Sequence, residues 1–208
     1  MHKILKGVEN RPLDHLLINF LWQTGARVSE ALSVKVSDID FYSKVVRMQS
    51  LKKKNSQVKT IPLQGKLLGE IGAYVGQEGL KKEQRVFSIT RQHAHRIVRD
   101  ACTKTGIERK RAHPHVLRHS FAVIAVLQRV PLPILQKWLG HSDIKNTMMY
   151  LQILSQDTRD FYREMANRKS RLERHQNSNR GLEIPPAPSA QRPTIAVALV
   201  YLVEKVEV

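Results

Sequence analysis

This chain of 208 residues has one cysteine, Cys102, so it can form neither an intramolecular disulfide nor a cysteine-rich zinc site. That suits a reducing, cytoplasmic setting. Long apolar runs are also missing. The longest covers residues 195–203, nine residues, where a membrane helix needs about 20. The opening Met1-His2-Lys3-Ile4-Leu5-Lys6 lacks the apolar core of a signal peptide. There is no glycine-rich GxxxxGK[ST] loop and no carboxylate cluster, so nucleotide-driven and carboxylate-held metal chemistry lack their residues. Acidic side chains are scarce: 18 Asp+Glu stand against 35 Lys+Arg, for a formal net charge of +17. A surface so basic draws polyanions, nucleic acid being the commonest.

The hydrophobic pattern is mainly helical. Leu16, Leu17, Phe20 and Leu21 form a one-sided stripe, Thr24-Gly25-Ala26 interrupts it, and a second helix starts at Arg27. The period then changes. Residues 45–49 and 57–61 read as strands joined by the polar turn Lys52-Lys53-Lys54-Asn55-Ser56, and a short strand near residues 36–41 completes a small antiparallel sheet. Helical pattern returns at 67–75 and again at 90–105, where Gly106 ends it. Residues 115–129 follow, carrying Leu117, Phe121, Ile124 and Leu127 on one face. Pro131 and Pro133 open a short helix with Ile134, Leu135, Trp138 and Leu139 expected inward, and Gly140 stops it. Asp143 reads as the N-cap of a helix carrying Tyr150. A charged helix is expected at 155–174, a linker at 175–193, and a β-prone apolar tail after it. The fold class is therefore α+β, mainly α-helical, with a three-stranded antiparallel sheet.

The chemistry concentrates between Pro114 and Tyr150. A His-x-x-Arg pair alone means little, since His93 and Arg96 fit that pattern too. His115 and Arg118 differ in setting: they lie one helical turn apart, directly after His113-Pro114, with an apolar stripe on the opposite face. His141 follows Leu139-Gly140, and Tyr150 comes nine residues later. Arg27 stands at a helix start after Thr-Gly-Ala, where free backbone N–H groups favour an anion. Lys54 sits in the hairpin turn as a mobile point charge. Two guanidinium groups, two imidazoles, an ammonium and a phenol are what it takes to grip a phosphodiester and attack it.

In these motifs the chain resembles the catalytic domain of the tyrosine recombinase, or phage-integrase, family from about Arg11 to Gln152. The first arginine box is Thr24-Gly25-Ala26-Arg27-Val28-Ser29-Glu30. The second is His115-Val116-Leu117-Arg118-His119-Ser120-Phe121, and the third is Leu139-Gly140-His141-Ser142, followed by Tyr150. The 26-residue step from His115 to His141 and the nine to Tyr150 are similar to those of Xer-type members. Counting back from Ile61-Pro62-Leu63 gives Lys54 as the hairpin lysine, with Lys52 and Lys53 as alternatives.

The resemblance implies a tyrosine recombinase catalytic-domain fold over residues 1–174, with residues 175–208 as linker and tail. Only 26 residues precede Arg27, so the N-terminal core-binding domain is expected to be absent. It also implies roles. Arg27 and Arg118 would hold the non-bridging phosphate oxygens, and Tyr150 would attack to form a 3′-phosphotyrosine link. His115 would act as base, Lys54 would protonate the leaving 5′ oxygen, and His141 would orient the phosphate. No cofactor or metal is expected. The implied partners are double-stranded DNA, a homo-tetramer on that DNA and accessory DNA-bending proteins, in the cytoplasm at the nucleoid. Competing readings are an inactive truncated integrase remnant, a type IB topoisomerase, and a non-catalytic helix-turn-helix protein built on residues 131–149.

Overall fold

The computed structural model describes residues 1–49 and 58–151. The helices are α1 (His2–Lys6), α2 (Pro12–Thr24), α3 (Val28–Ser33), α4 (Gly65–Gln77), α5 (Arg91–Thr103), α6 (Pro114–Leu127), α7 (Leu132–Leu139) and α8 (Lys145–Met148). Between α3 and α4 lie a 3-10 turn (Val36–Asp38) and the strands β1 (Ile39–Asp40), β2 (Val45–Gln49) and β3 (Val58–Pro62), ordered β1-β2-β3 and antiparallel throughout.

Helix α2 is the hub, packing against α6, α4, α5 and α3. Pro12 fixes its first turn, and Asp14, paired with Arg11 at 2.8 Å, puts a carboxylate at the positive end of the helix. Its buried Leu17, Ile18, Phe20 and Leu21 meet Phe87, Met48, Ile61, Leu67, Ile71 and Leu117 in one core. The Phe20 and Phe87 rings cross edge to face at 5.4 Å. Burying each such side chain contributes about 1.5–3 kcal/mol, so this core anchors everything attached to it. A second, smaller cluster joins Ala122, Val123 and Val126 of α6 to Leu135 and Leu139 of α7 and to Tyr150.

The sheet obeys period two. Val46 and Met48 of β2, and Lys59 and Ile61 of β3, are buried while their neighbours are not. A lysine therefore occupies an inward position of β3.

Several expectations need correcting. The first strand is only two residues long, because Val36–Asp38 coils into a 3-10 turn closed by Asp38 accepting from the Lys35 N–H at 2.8 Å. Ile134 is exposed: an eight-residue helix buries one narrow stripe, and Leu135 and Leu139 occupy it. Asp143 does not cap α8, whose N-cap is Ile144; its carboxylate accepts instead from the Lys145 N–H at 2.8 Å. Helix α8 ends at Met148, so Tyr150 lies in the turn beyond it. Helix α1, with Ile4 buried in the main core, had no clear sequence signal. The turn holding Lys52, Lys53 and Lys54, the expected helix at 155–174, the linker and the tail all lie outside the described residues.

Candidate active site

Gly25 caps α2 at φ +60°, and a Cβ there would come within 2.4 Å of the Phe121 ring. Only glycine meets both conditions. The turn is locked by Thr24, whose hydroxyl donates to the Phe20 carbonyl at 2.7 Å and accepts from the Ala26 N–H at 3.2 Å.

This turn aims a carbonyl at Arg118. The Arg118 guanidinium donates through Nη1 to Gly25 O at 2.7 Å and through Nη2 to the carbonyl of Leu139. Both acceptors sit at helix C-termini, of α2 and of α7, where carbonyls lack partners within the helix and carry the negative end of the helix dipole. Arg118 is thus a buried cation held by two helix ends. Its side chain is 5% exposed. Burial and the neighbouring Arg27, partly offset by Glu30 and Tyr150, lower its pKa to about 10, so it stays charged at neutral pH. A guanidinium has five N–H donors in a flat fork. Those not used on the two carbonyls suit a tetrahedral oxyanion.

Arg27 is the N-cap of α3, with its side chain 29% exposed. Its Nη1 donates to Glu30 Oε1 at 2.8 Å, and its backbone N–H donates to Glu30 Oε2 at 2.9 Å. The free N–H expected at this helix start is therefore already taken by the chain's own carboxylate. The same Oε2 receives Lys59 Nζ at 2.7 Å. Glu30 is 1% exposed. Burial opposes its charge, but Lys59 and Arg27 outweigh burial and hold it below the usual carboxylate range. For Lys59, burial and the nearby Arg118 and Arg27 outweigh the attraction of Glu30 and lower the ammonium's pKa. Three cations against one carboxylate leave the cluster with two formal positive charges. A cluster with that excess of positive charge suits an anionic ligand.

His115, one turn before Arg118 on α6, is exposed. Partial desolvation, then His113, Arg118 and Arg27, lower its pKa and favour the neutral imidazole. His119 is half-buried, and desolvation together with His115 and Arg118 pushes it down to about 4. Its Nδ1 lies 2.8 Å from the Tyr150 hydroxyl. Tyr150 is 4% exposed, and burial raises its phenol despite Arg118 nearby. His141 turns Nδ1 to the hydroxyl of Thr147 on α8 at 2.9 Å.

Arg27, His115, Arg118 and Tyr150 therefore converge, although Tyr150 contacts His119 rather than His115. His141 is drawn in through the Leu139-Gly140 turn, whose Leu139 carbonyl binds Arg118. Lys54 lies outside the described residues. The sequence reading missed His119, Lys59, Thr147 and the role of Glu30. His119 carried a usable signal, since it sits four residues after His115 on the same helix face. Lys59 carried another, a charge in register with the inward Ile61.

Comparison with known proteins finds relatives in both sequence and fold. Residues 1–157 match the profile of the phage integrase family. The tyrosine recombinase XerA of Saccharolobus solfataricus is 33% identical over 162 residues, covering 78% of this chain and 53% of that protein. A tyrosine recombinase of Pseudothermotoga lettingae is 32% identical over 164 residues, covering 77% and 56%. The chain spans about half the length of these curated relatives. Among solved structures, the crystal structure of XerA recombinase superposes with a TM-score of 0.65 at 22% identity, covering 79% of this chain and 62% of that one. XerH recombinase bound to its palindromic difH substrate, in a post-cleavage complex, gives 0.65 at 21% identity over 77% and 50%. The catalytic domain of bacteriophage HP1 integrase gives 0.58 at 27% identity over 73% and 82%. The mostly helical fold with its three-stranded antiparallel sheet is that of these catalytic domains.

Proposed function

Because the chain belongs to the phage integrase family, we propose that it cuts and rejoins double-stranded DNA through a 3′-phosphotyrosine link, exchanging strands within a tetramer of this chain on DNA. The observation that carries the reading is the assembly around Arg118. Residues from α2–α3, β3, α6 and the turn after α8 surround one guanidinium held by two helix ends.

In the proposed reaction, Arg27 and Arg118 donate hydrogen bonds to the non-bridging oxygens, where charge grows as the phosphorane forms. Glu30 and Lys59 do not touch the phosphate; they fix the Arg27 fork and keep its charge in place. The Tyr150 oxygen attacks phosphorus, the bond to the 5′ oxygen breaks, and that oxygen takes a proton from the hairpin lysine, for which Lys54 is the candidate. The phenol ordinarily loses its proton only near pH 10, so a base must receive it. His115 is the candidate base, and His141 is proposed to steady the phosphate. The energy of the phosphodiester is kept in the tyrosyl link, so the reverse step needs no added energy source. Accessory DNA-bending proteins are proposed as further partners. The helix-turn-helix reading is weakened by α8, whose four residues are too short for a recognition helix lying in a major groove.

A nicked suicide duplex carrying the chain's target site tests the proposal. A covalent DNA–protein adduct is expected, with none from Tyr150→Phe. Arg118→Ala should cut adduct formation at least 10²-fold, the scale for losing one transition-state donor, while most DNA binding survives. Salt-sensitive binding without any adduct would favour the non-catalytic reading. Supercoil relaxation without a partner site would favour a topoisomerase.

A further inference from the structure

We propose that His119 is a positioning residue for the nucleophile: its imidazole holds the Tyr150 hydroxyl in a buried seat that the phenol must leave before it can reach DNA. This rests on the reading of Tyr150 as nucleophile. It goes beyond that reading by naming what determines where the phenol rests.

Three observations carry the inference. The Tyr150 hydroxyl lies 2.8 Å from His119 Nδ1, with the two rings tilted at 51° and 5.9 Å apart. With its proton on Nε2, a neutral imidazole accepts the phenolic O–H at Nδ1. The Tyr150 ring is packed among Ala122, Val123, Val126, Leu135 and Leu139 and is 4% exposed, so a duplex cannot bring a phosphate in line with its oxygen there. In-line attack needs the reacting atoms about 3–3.5 Å apart. Of the groups proposed to meet the phosphate, Arg27 is partly accessible and His115 is exposed. Arg118, as buried as Tyr150, needs only one guanidinium edge to reach an oxygen, whereas the phenol needs an in-line approach to phosphorus.

The anchorage is also easy to release. Tyr150 follows a four-residue helix, too short to be stable by itself. That helix is tied to the turn after α7 by the hydrogen bond between His141 Nδ1 and the Thr147 hydroxyl. Two imidazoles on the α6–α7 face therefore hold one short segment, and His119 holds its functional end. Shifting the turn would free the hydroxyl while leaving the Arg118 socket intact, because no atom of Tyr150 serves as an acceptor for Arg118.

Nitration by tetranitromethane, mapped by mass spectrometry on the full chain, tests this without requiring activity. Tyr42 is 96% exposed and serves as internal reference. In His119→Ala the ratio of Tyr150 to Tyr42 nitration should rise about fivefold, the factor corresponding to a hydrogen bond worth about 1 kcal/mol. His119→Asn places an amide acceptor near the Nδ1 position and should return the ratio toward that of the unsubstituted chain. On the nicked suicide duplex, His119→Ala should form adduct faster by a similar factor, and His119→Asn should slow it again.

An unchanged nitration ratio in His119→Ala overturns the proposal whatever the DNA assay shows. Raised nitration with slower adduct formation also overturns it, because the seat would then belong to the attack. If the unsubstituted chain forms no adduct at all, the nucleophile reading fails, and nitration still decides whether His119 seats the phenol. A circular dichroism melt of each variant separates loss of the seat from general unfolding.

Discussion

Arg118 and Tyr150 lie in one site but are held in opposite ways. Arg118 is pinned between the two clusters: its carbonyl partners end α2, in the main core, and α7, in the smaller one, and its neighbours Glu30 and Lys59 are buried. Tyr150 belongs to the smaller cluster, sits past a four-residue helix, and has its hydroxyl on one imidazole. The difference separates two demands. A charge that stabilises a transition state works best when it is fixed before the reaction. A nucleophile that becomes covalently joined to DNA has to travel with it. On the proposed reading, the fold fixes the charge between both clusters and hangs the moving group on the smaller one alone.

The contrast can be broken from the fixed side. Glu30→Gln should have the largest effect on stability, about 3–5 kcal/mol, because it leaves buried Lys59 without its counter-charge. Urea titration would measure it, and a loss below 1 kcal/mol would mean that the buried pair is not under the load inferred here. Gly25→Ala comes next. It forces a side chain onto a residue at φ +60° and against the Phe121 ring, for about 2–3 kcal/mol in the same titration. It should also reduce DNA cleavage, since the Gly25 carbonyl that holds Arg118 has to move.

From the movable side the effects are smaller. His119 is held near pKa 4 against an ordinary value of about 6.5, so its proton binds the unfolded chain more readily than the folded one. Its contribution to stability is complete above pH 6.5 and falls as pH drops towards 4. The groups facing it are His113, His115, Arg118 and Tyr150. Between pH 7 and 5.5 the loss should be about 1 kcal/mol, and His119→Asn should flatten that part of the stability–pH curve. Thr147→Val, which removes the hydroxyl bound by His141, should cost about 1 kcal/mol or less. It should also raise Tyr150 nitration, as His119→Ala does. If Thr147→Val left Tyr150 as protected as before, the two halves of the segment would be held independently.

The arginine boxes were legible because their chemistry is local. Thr24-Gly25-Ala26 announces a helix stop, and His115 and Arg118 lie one turn apart, on the face opposite an apolar stripe that any helical reading finds. The partners of those residues were not legible. Gly25 O and Leu139 O are backbone atoms, and no spacing rule points them at residue 118. Lys59 could have been found from strand alternation, which puts it on the face of Ile61, but an inward lysine makes sense only once Glu30 is known to lie opposite. Ile134 and Asp143 misled for a related reason. Apolar and capping residues mark where a helix can form. Packing of α7 against α6 decides which of its stripes is buried, and α8 packs on α7 rather than starting at its nearest capping residue.

The two carbonyls that hold Arg118 come from residues 25 and 139, on either side of it in the chain. The first is 93 positions away and the second 21. During synthesis the guanidinium emerges long after the first acceptor and well before the second. Until residue 139 clears the ribosome, the emerging cation has half of its cradle. Closure of loops this distant is slow compared with helix formation, so the Arg118 cradle is expected to close only after the helices that supply it have formed.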